Sequence, residues 1–311
     1  MSKLLRSGFR RYVRSYIFWL AVVATVILAV ICGLEARSIF FEDFFVTIFL
    51  VANAVLTSWI VGRENEEGIF RNKVISGHTK GNIYISELIL GVTFSVILYL
   101  LFTVIFLCIN SYIIGYAPIW VAFKIFLGGF LSSACSAAIL VAISCTISRR
   151  AIIGIFNILL MLALVFSTQT IDSMLDRPEY LEEYDYEYVE IVDENGNVHM
   201  GVSTIEDSKR LIENPQYIKS PIREVLNAVG RLSPFTLIRE GGDITYGWFG
   251  YNMQAISSSN GTSHSIWDNE HDFSVTQEEN ISLKISLVFA LVEFISIGCI
   301  GYFFFRKKEL K

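Results

Sequence analysis

The residues with the greatest chemical potential in this chain lie in a charged segment between two long apolar runs. The segment reads GRENEEGIFRNKVISGHTKGNIYISELI from Gly62 to Ile89 and contains eight charged residues. Charges of both signs, tied directly to two apolar runs, suit a docking contact because electrostatic complementarity gives such a contact its specificity. The alternative is a solvated turn with a short helix at the membrane surface.

The spacing within this segment predicts a short helix over residues 65 to 75. Gly77 can end that helix, and Thr79 or Asn82 can cap the next one. The apolar residues would then point at lipid or at neighbouring helices: Ile69, Phe70, Val74 and Ile75. The charged residues would face water: Glu64, Glu66, Glu67, Arg71 and Lys73.

Glu293 is a second candidate because it lies near the middle of the last apolar run. A carboxylate within a membrane is costly and is by default a functional candidate. The alternative is a carboxylate that is hydrogen-bonded at a helix or subunit interface.

A row of small residues in the stretch GGFLSSACSAA is a candidate packing face. Such rows let helix backbones approach closely. The face would lie either in the core of one subunit or at a seam between two subunits. Its members are Gly128, Ser132 and Ser136, with Gly129, Ser133 and Ala137 beside them.

Patterns for catalysis and metal binding are missing from the sequence. There is no G-x-x-x-x-G-K-[ST], H-E-x-x-H or G-x-S-x-G motif, so we expect no enzymatic activity in this chain by itself. The run WDNEHD at 267–272 is interpreted as an acidic loop rather than a metal site. We expect no nucleic-acid partner.

The elements that must position these residues are membrane spans. With a mean hydropathy of +0.51 and 24 Phe among 311 residues, the chain is not an ordinary soluble domain. Six apolar runs approach the length needed to cross a bilayer, and lipid requires each to be a helix. The prediction is an all-α polytopic membrane protein whose six spans cover 16–34, 39–61, 84–114, 117–147, 151–171 and 282–305.

The distribution of Lys and Arg predicts the orientation. Basic residues collect at the N-terminus, in the charged segment, at Arg149 and Arg150, and after the last run. The other short loops contain only Arg37, so both termini and the loop 62–83 are expected on the cytoplasmic side of the plasma membrane.

An outer insert at 172–281 then separates residues 1–171, which hold five spans, from residues 282–311, which hold the sixth span and a cytoplasmic tail. The insert contains 21 acidic and 7 basic residues. It is predicted to be a small α+β module with a hairpin turning at Asn195-Gly196 and a short helix capped by the Ser203–Glu206 box. A second helix starts after Ser220, and its apolar stripe, with the aromatic run at 246–251, is expected to rest on the spans.

The charged segment resembles the cytoplasmic loop between the second and third spans of ABC-2 type permeases, which belong to the second exporter class of ATP-binding-cassette transporters. In RENEEGIFRNKVISGHTKGNIYISELI, an acidic residue and a glycine precede a basic RNK step, and a GHT turn leads into the next span. The six spans, the large outer insert, the segment NPQYIKSPIREVLNAVGRLSPF and the tail FFFRKKELK are similar to the peptide-export and bacteriocin-immunity branch.

The resemblance implies a permease that works with a separate ATPase subunit, two permeases to two ATPases. ATP and magnesium would belong to the ATPase, and this chain would hold no cofactor. The second permease would be either identical or different. The loop would act as a coupling helix in a groove of the ATPase, through Glu64, Glu67, Gly68, Arg71, Asn72 and Lys73.

Two other functions fit the same pattern. One is a membrane sensor or accessory protein with an outer ligand-binding domain and a charged segment that docks a signalling partner. The other is an ion-coupled secondary transporter, which would be expected to show inverted repeats and broken helices. The sequence shows neither clearly, and its Tyr-rich acidic stretch at 180–194 departs from many ABC-2 permeases.

Overall fold

The helices follow the apolar runs closely. The computed structural model describes residues 1–34, 40–113, 119–175, 177–183, 186–192, 198–204, 210–233, 235–236 and 277–309. In these ranges the helices are α1 Ser2–Arg14, α2 Tyr16–Leu34, α3 Phe40–Glu66, α4 Ile69–Ile75, α5 Lys80–Ile113, α6 Ile119–Thr146, α7 Arg150–Leu175, α8 Ile222–Arg231 and α9 Gln277–Lys307.

Five of these helices are long and apolar enough to cross a membrane, namely α2, α5, α6, α7 and α9. The chain is therefore a mostly helical, multi-pass membrane protein. The remaining predicted run forms α3, which extends five residues beyond its predicted end at residue 61. The last turn of α3 is charged, with Arg63, Glu64 and Glu66, and this helix is not among the five.

Helix α6 is the most buried of the five apolar helices and lies at the centre of the bundle. It packs against α3, α5 and α9, while α2 packs against α3 and α5. The largest buried cluster includes Phe94 and Leu98 of α5, Met161 of α7 and Phe18 of α2. Close packing of this kind gains many small dispersion contacts for each side chain.

Helix α1 was not predicted, because its five basic residues were interpreted only as the flank of the first span. Leu4, Gly8 and Tyr12 recur every four residues and are buried against the bundle, which is the spacing of one helical face. The opposite side is basic and exposed: Lys3, Arg6, Arg10 and Arg14. The signal was present in the sequence, but it was masked by the high charge.

Residues Gln169–Gly230 form a compact unit of their own. Strand β1, Tyr180–Glu183, pairs antiparallel with β4, Arg210–Glu213. Strands β2, Tyr186–Val192, and β3, Val198–Thr204, form a separate antiparallel pair. The predicted hairpin strands are thus present, and their turn at Asn195-Gly196 lies outside the described residues.

Two further predictions for this unit concern the Ser203–Glu206 box and helix α8. Ser203 and Thr204 end strand β3, where they pair with Glu187 and Tyr186, and the short helix predicted to follow them lies outside the described residues. Helix α8 begins at Ile222, one residue after Pro221. The expectation that its apolar stripe rests on the spans stays a prediction. The runs at 246–251 and 267–272 lie outside the described residues.

Candidate functional site

The charged segment contains the end of α3, all of α4 and the start of α5, with one glycine turn before α4 and one after it. Gly68 has φ +70° and Gly77 has φ +91°, so both adopt the left-handed conformation that favours glycine. Asn65 and Glu66 consequently belong to α3, and the predicted short helix begins at Ile69 instead of at residue 65. Helix α5 starts as expected, because the Thr79 hydroxyl accepts a hydrogen bond from the Asn82 amide at 3.2 Å.

The apolar side of α4 is packed into the bundle. Phe70 is buried, and its ring meets that of Phe305 edge-on with centroids 5.4 Å apart. Tyr84 and Val61 belong to the same buried cluster, which therefore joins α3, α4, α5 and α9. Ile75 is exposed and does not pack against these helices, and the expectation that it faces lipid stays a prediction. The short helix is thus fixed to several long helices by its first turn.

Four charged side chains meet beneath α4 and are called the charge cluster below: Arg11, Glu64, Lys73 and Glu87. The Lys73 ammonium donates to Glu64 Oε2 at 2.6 Å and to Glu87 Oε1 at 2.7 Å. Arg11 forms an ion pair with Glu64, and its Nη2 lies 3.9 Å from Glu87 Oε1. The four residues come from α1, α3, α4 and α5, so the charge cluster links four helices.

The charge cluster is balanced, and its two carboxylates are buried. Glu64 is 3% exposed and Glu87 is fully buried. Taking charges out of water is costly, so each carboxylate depends on the two cations that face it. Removing one partner leaves an uncompensated buried charge, which is more damaging than removing the whole group. The charge cluster therefore favours one arrangement of the four helices.

Tyr12 borders the charge cluster from α1. Burial raises the pKa of its phenol well above its ordinary value, and the nearby Glu87 and Glu64 carboxylates raise it further. Its ring stacks on Phe94 with centroids 4.4 Å apart. Its hydroxyl has no hydrogen-bond partner among the described residues. Tyr12 thus acts mainly as a packing residue that keeps water from the carboxylates.

A second group of polar contacts lies at the C-terminal end of α6. The Asn65 amide donates to the carbonyl oxygens of Ser144 at 3.0 Å and Cys145 at 3.2 Å, and also to that of Ile147. Lys308 donates to Asn65 Oδ1 at 2.8 Å and to the Cys145 carbonyl at 2.9 Å. These carbonyls carry the negative end of the α6 dipole, which favours an adjacent cation. Burial lowers the pKa of Lys308 below its ordinary value.

The water-facing side of the segment has a different character. Arg71 and Asn72 are exposed on α4. Arg63 donates to Glu67 at 2.6 Å across the last turn of α3, and both side chains are about half exposed. This surface presents both charge signs on a rigidly held helix.

The six predicted coupling residues thus fall into two groups. Glu67, Gly68, Arg71 and Asn72 lie at or near the surface, whereas Glu64 and Lys73 are buried in the charge cluster. The expectation that Glu64 and Lys73 face water is wrong. Each follows an exposed residue, Arg63 or Asn72, but its own side chain lies in the charge cluster.

Three residues of this region were missed. Glu87 interrupts the apolar run of α5, and an ionisable residue there could have been recognised by its cost. Arg11 was counted only as part of a basic flank. Lys308 gave no signal, since its partners Asn65 and Cys145 are distant in sequence.

The small-residue row of α6 lies in the core of the chain. Ser132, Ser133 and Ser136 are completely buried, and Gly128 is buried as well. A Cβ at Gly129 would clash with the Tyr99 ring. Neighbouring helices of the same chain therefore pack against the row, which favours the core interpretation over the subunit seam.

Glu293 is half buried on α9, one helical turn from Ala290, whose carbonyl accepts from the Cys135 thiol at 3.2 Å. Among the described contacts, Glu293 shares no partner with the charge cluster. A different polar contact was missed: Asn157 of α7 donates to the hydroxyls of Ser58 at 2.8 Å and Ser144 at 3.1 Å.

Among the described residues, no group of three or more His, Cys, Asp or Glu side chains is arranged to hold a metal ion. In comparisons with known proteins, no protein-family model matches the chain and no curated protein matches it significantly.

Proposed function

We propose that this chain is the permease subunit of an ABC-2 type exporter, in which α4 couples a separate ATPase subunit to the membrane helices. The ATPase would hold ATP and magnesium and supply the energy. The complex would contain a second permease, identical or different, and would move a substrate such as a peptide, a drug or a lipid-like molecule across the plasma membrane.

The observation that carries this proposal is that α4 is anchored on one side and exposed on the other. One side is locked to α3 and α5 through Lys73 and to α9 through Phe70. The other side leaves Arg71 and Asn72 exposed. A force applied to the exposed side would be transmitted to several long helices, because packed elements move as units rather than deform continuously.

The proposal includes six spans, with α3 as the second, and places both termini and α4 in the cytoplasm. The exposed basic residues of α1 and those near α4 support this side by the Lys/Arg rule. Cysteine at the exposed position Asn72 should resist an impermeant thiol reagent in sealed cells, and cysteine at Lys219 should react. Labelling is compared with that of the parent chain, which has five Cys. Reaction at Asn72 with the membrane sealed would rule out this topology.

Purification of the full chain from its native membranes tests the coupling role. The chain should retain a protein with a phosphate-binding loop and ATP hydrolysis activity. Combined reversal by Glu67→Arg and Arg71→Glu should lower the retained ATPase at least about tenfold, since like charges across an interface cost several kcal/mol.

The matched control is Arg149→Glu, because Arg149 is an exposed arginine in the loop between α6 and α7. This variant should retain the ATPase and its hydrolysis activity. Equal retention in the double reversal and the control would remove the support for a coupling helix. The chain would then fit the sensor or accessory function better.

A further inference from the structure

A cavity of about 360 Å³ opens beside the charge cluster, between α1, the first turn of α2, the end of α3 and the start of α4. Its volume is within the range of small-molecule sites. It shares one wall with the charge cluster, through Arg11 and Glu64. The cavity shares Glu67 with the proposed docking surface, and the coupling role assigns no occupant to it.

Three arginines line this cavity: Arg11, Arg14 and Arg63. Two carboxylates also line it, but each is already engaged. Glu64 is bound by Lys73 and Arg11, and Glu67 accepts from Arg63. Arg14 is exposed and has no ion pair among the described residues. The cavity therefore has one uncompensated positive charge and a second, Arg63, in a weak exposed pair.

Aromatic residues give this cavity the character of a membrane surface. Tyr16 and Trp59 line it, and their rings meet edge-on with centroids 5.8 Å apart. The Arg150 guanidinium lies 4.3 Å from the centroid of the Trp59 ring, which adds a cation–π contact. Trp and Tyr concentrate where the hydrocarbon core meets the headgroups. Ile60, also in the lining, marks the apolar edge.

We propose that this cavity binds a phosphate-bearing anion, either the headgroup of an anionic lipid or a free phosphate compound. Guanidinium groups recognise phosphate through paired N–H donors, and Arg14 and Arg63 provide two guanidinium groups at one site. Basic pockets between membrane helices bind anionic headgroups by this chemistry. The cavity wall contributed by Arg11 places the bound anion next to the charge cluster.

The test uses the full-length protein purified in a neutral detergent. Phosphatidylglycerol, phosphatidylcholine and glycerol 3-phosphate are titrated separately, and the apparent Kd is taken from the rise in melting temperature. Phosphatidylglycerol should stabilise the protein and phosphatidylcholine should not. Arg14→Gln and Arg63→Gln should each raise the apparent Kd about fivefold, as expected for one basic residue at such a site.

Arg6→Gln is the matched control, because Arg6 is exposed on the same helix and does not line the cavity. It removes the same charge and should change the apparent Kd less than about twofold. Glu67→Gln should have the opposite effect and tighten binding, because it releases Arg63 and removes a negative charge from the lining.

The two possible sources are separated by the titrations. Stabilisation by phosphatidylglycerol alone identifies a lipid headgroup, and equal stabilisation by glycerol 3-phosphate identifies a soluble phosphate compound. Either result supports the phosphate site if Arg14→Gln weakens it more than Arg6→Gln. The proposal is overturned if neither compound stabilises the protein, or if Arg14→Gln weakens binding no more than the control Arg6→Gln does. These readouts are independent of any ATPase partner.

Discussion

Two ion pairs at the end of α3 have the same length and opposite surroundings. Glu64 Oε2 lies 2.6 Å from the Lys73 ammonium, and Glu67 Oε1 lies 2.6 Å from Arg63 Nε. The side chains of the first pair are 5% and 11% exposed, and those of the second are 46% and 54% exposed. Distance therefore does not distinguish these pairs, whereas burial does.

Under the proposed function, the difference in burial gives one short segment two tasks. A buried pair fixes the geometry, because its members cannot be separated without leaving a charge in a medium of low dielectric constant. An exposed pair is held weakly and can exchange its partner for a group on another protein. The buried Glu64–Lys73 pair, called the inner pair, positions α4. The exposed Glu67–Arg63 pair, called the outer pair, is free to dock.

The largest expected effect comes from breaking the inner pair. Lys73→Met keeps most of the length of the side chain but removes the cation shared by Glu64 and Glu87, and should lower the free energy of unfolding by about 3–5 kcal/mol. The measurement is denaturation of the purified protein by SDS titration. Arg71→Met, two residues away and exposed, should change this free energy by less than about 0.5 kcal/mol. Similar losses in both variants would mean that burial does not separate the two sides.

The next effect tests whether an uncharged side chain anchors the segment as well. Asn65→Ala removes the donor to the α6 carbonyls and the acceptor for Lys308, and should cost about 1–3 kcal/mol in the same assay. Asn72→Ala changes the same residue type on the exposed side of α4, and should cost less than about 0.5 kcal/mol. An Asn72 variant that is the less stable of the two would reverse the assignment of inner and outer sides.

A smaller effect is expected for a polar contact inside the bundle. Asn157→Ala removes the hydrogen bonds to Ser58 and Ser144 and should cost about 0.6–1.7 kcal/mol, because alternative partners are available within a membrane. Thr93→Ala is the comparison, since among the described residues the Thr93 hydroxyl bonds only to its own helix, at the Ile89 carbonyl. A cost for Asn157→Ala as large as that for Lys73→Met would show that burial alone, without charge, sets the scale.

The smallest effect is expected for the outer pair. Glu67→Gln should change the free energy of unfolding by less than about 0.5 kcal/mol, because an exposed pair at positions i and i+4 is screened by water and salt. Raising the salt concentration should abolish even this difference. A loss above about 1 kcal/mol would place Glu67 among the anchoring residues instead.

The sequence predicted most of the helices because lipid permits few alternatives to a helix in a long apolar run. It also predicted the glycine stop at Gly77 and the cap at Thr79. It misplaced the start of α4, because only the left-handed backbone at Gly68 separates it from α3. Propensity alone favours a continuous helix through Asn65 and Glu66.

The charge cluster could not be assembled from the sequence. Arg11, Glu64, Lys73 and Glu87 lie on four different helices, and no spacing rule places Arg11 next to Glu64. The inward turn of Glu64 and the outward turn of Glu67 depend on how α3 is rotated against α1 and α5. That rotation is set by packing across the whole bundle. The periodicity of apolar residues within one helix therefore does not predict it.

The central claim is that the exposed side of α4 is the docking surface, and site-specific photo-crosslinking in native membranes tests it most directly. A crosslinker at Asn72 should capture a protein that contains a phosphate-binding loop, and the same crosslinker at Arg149 should capture far less of it. Both positions are exposed, so accessibility is matched. Capture of only lipid at Asn72, or equal capture of the ATPase at both positions, would contradict the claim that α4 couples the membrane helices to an ATPase.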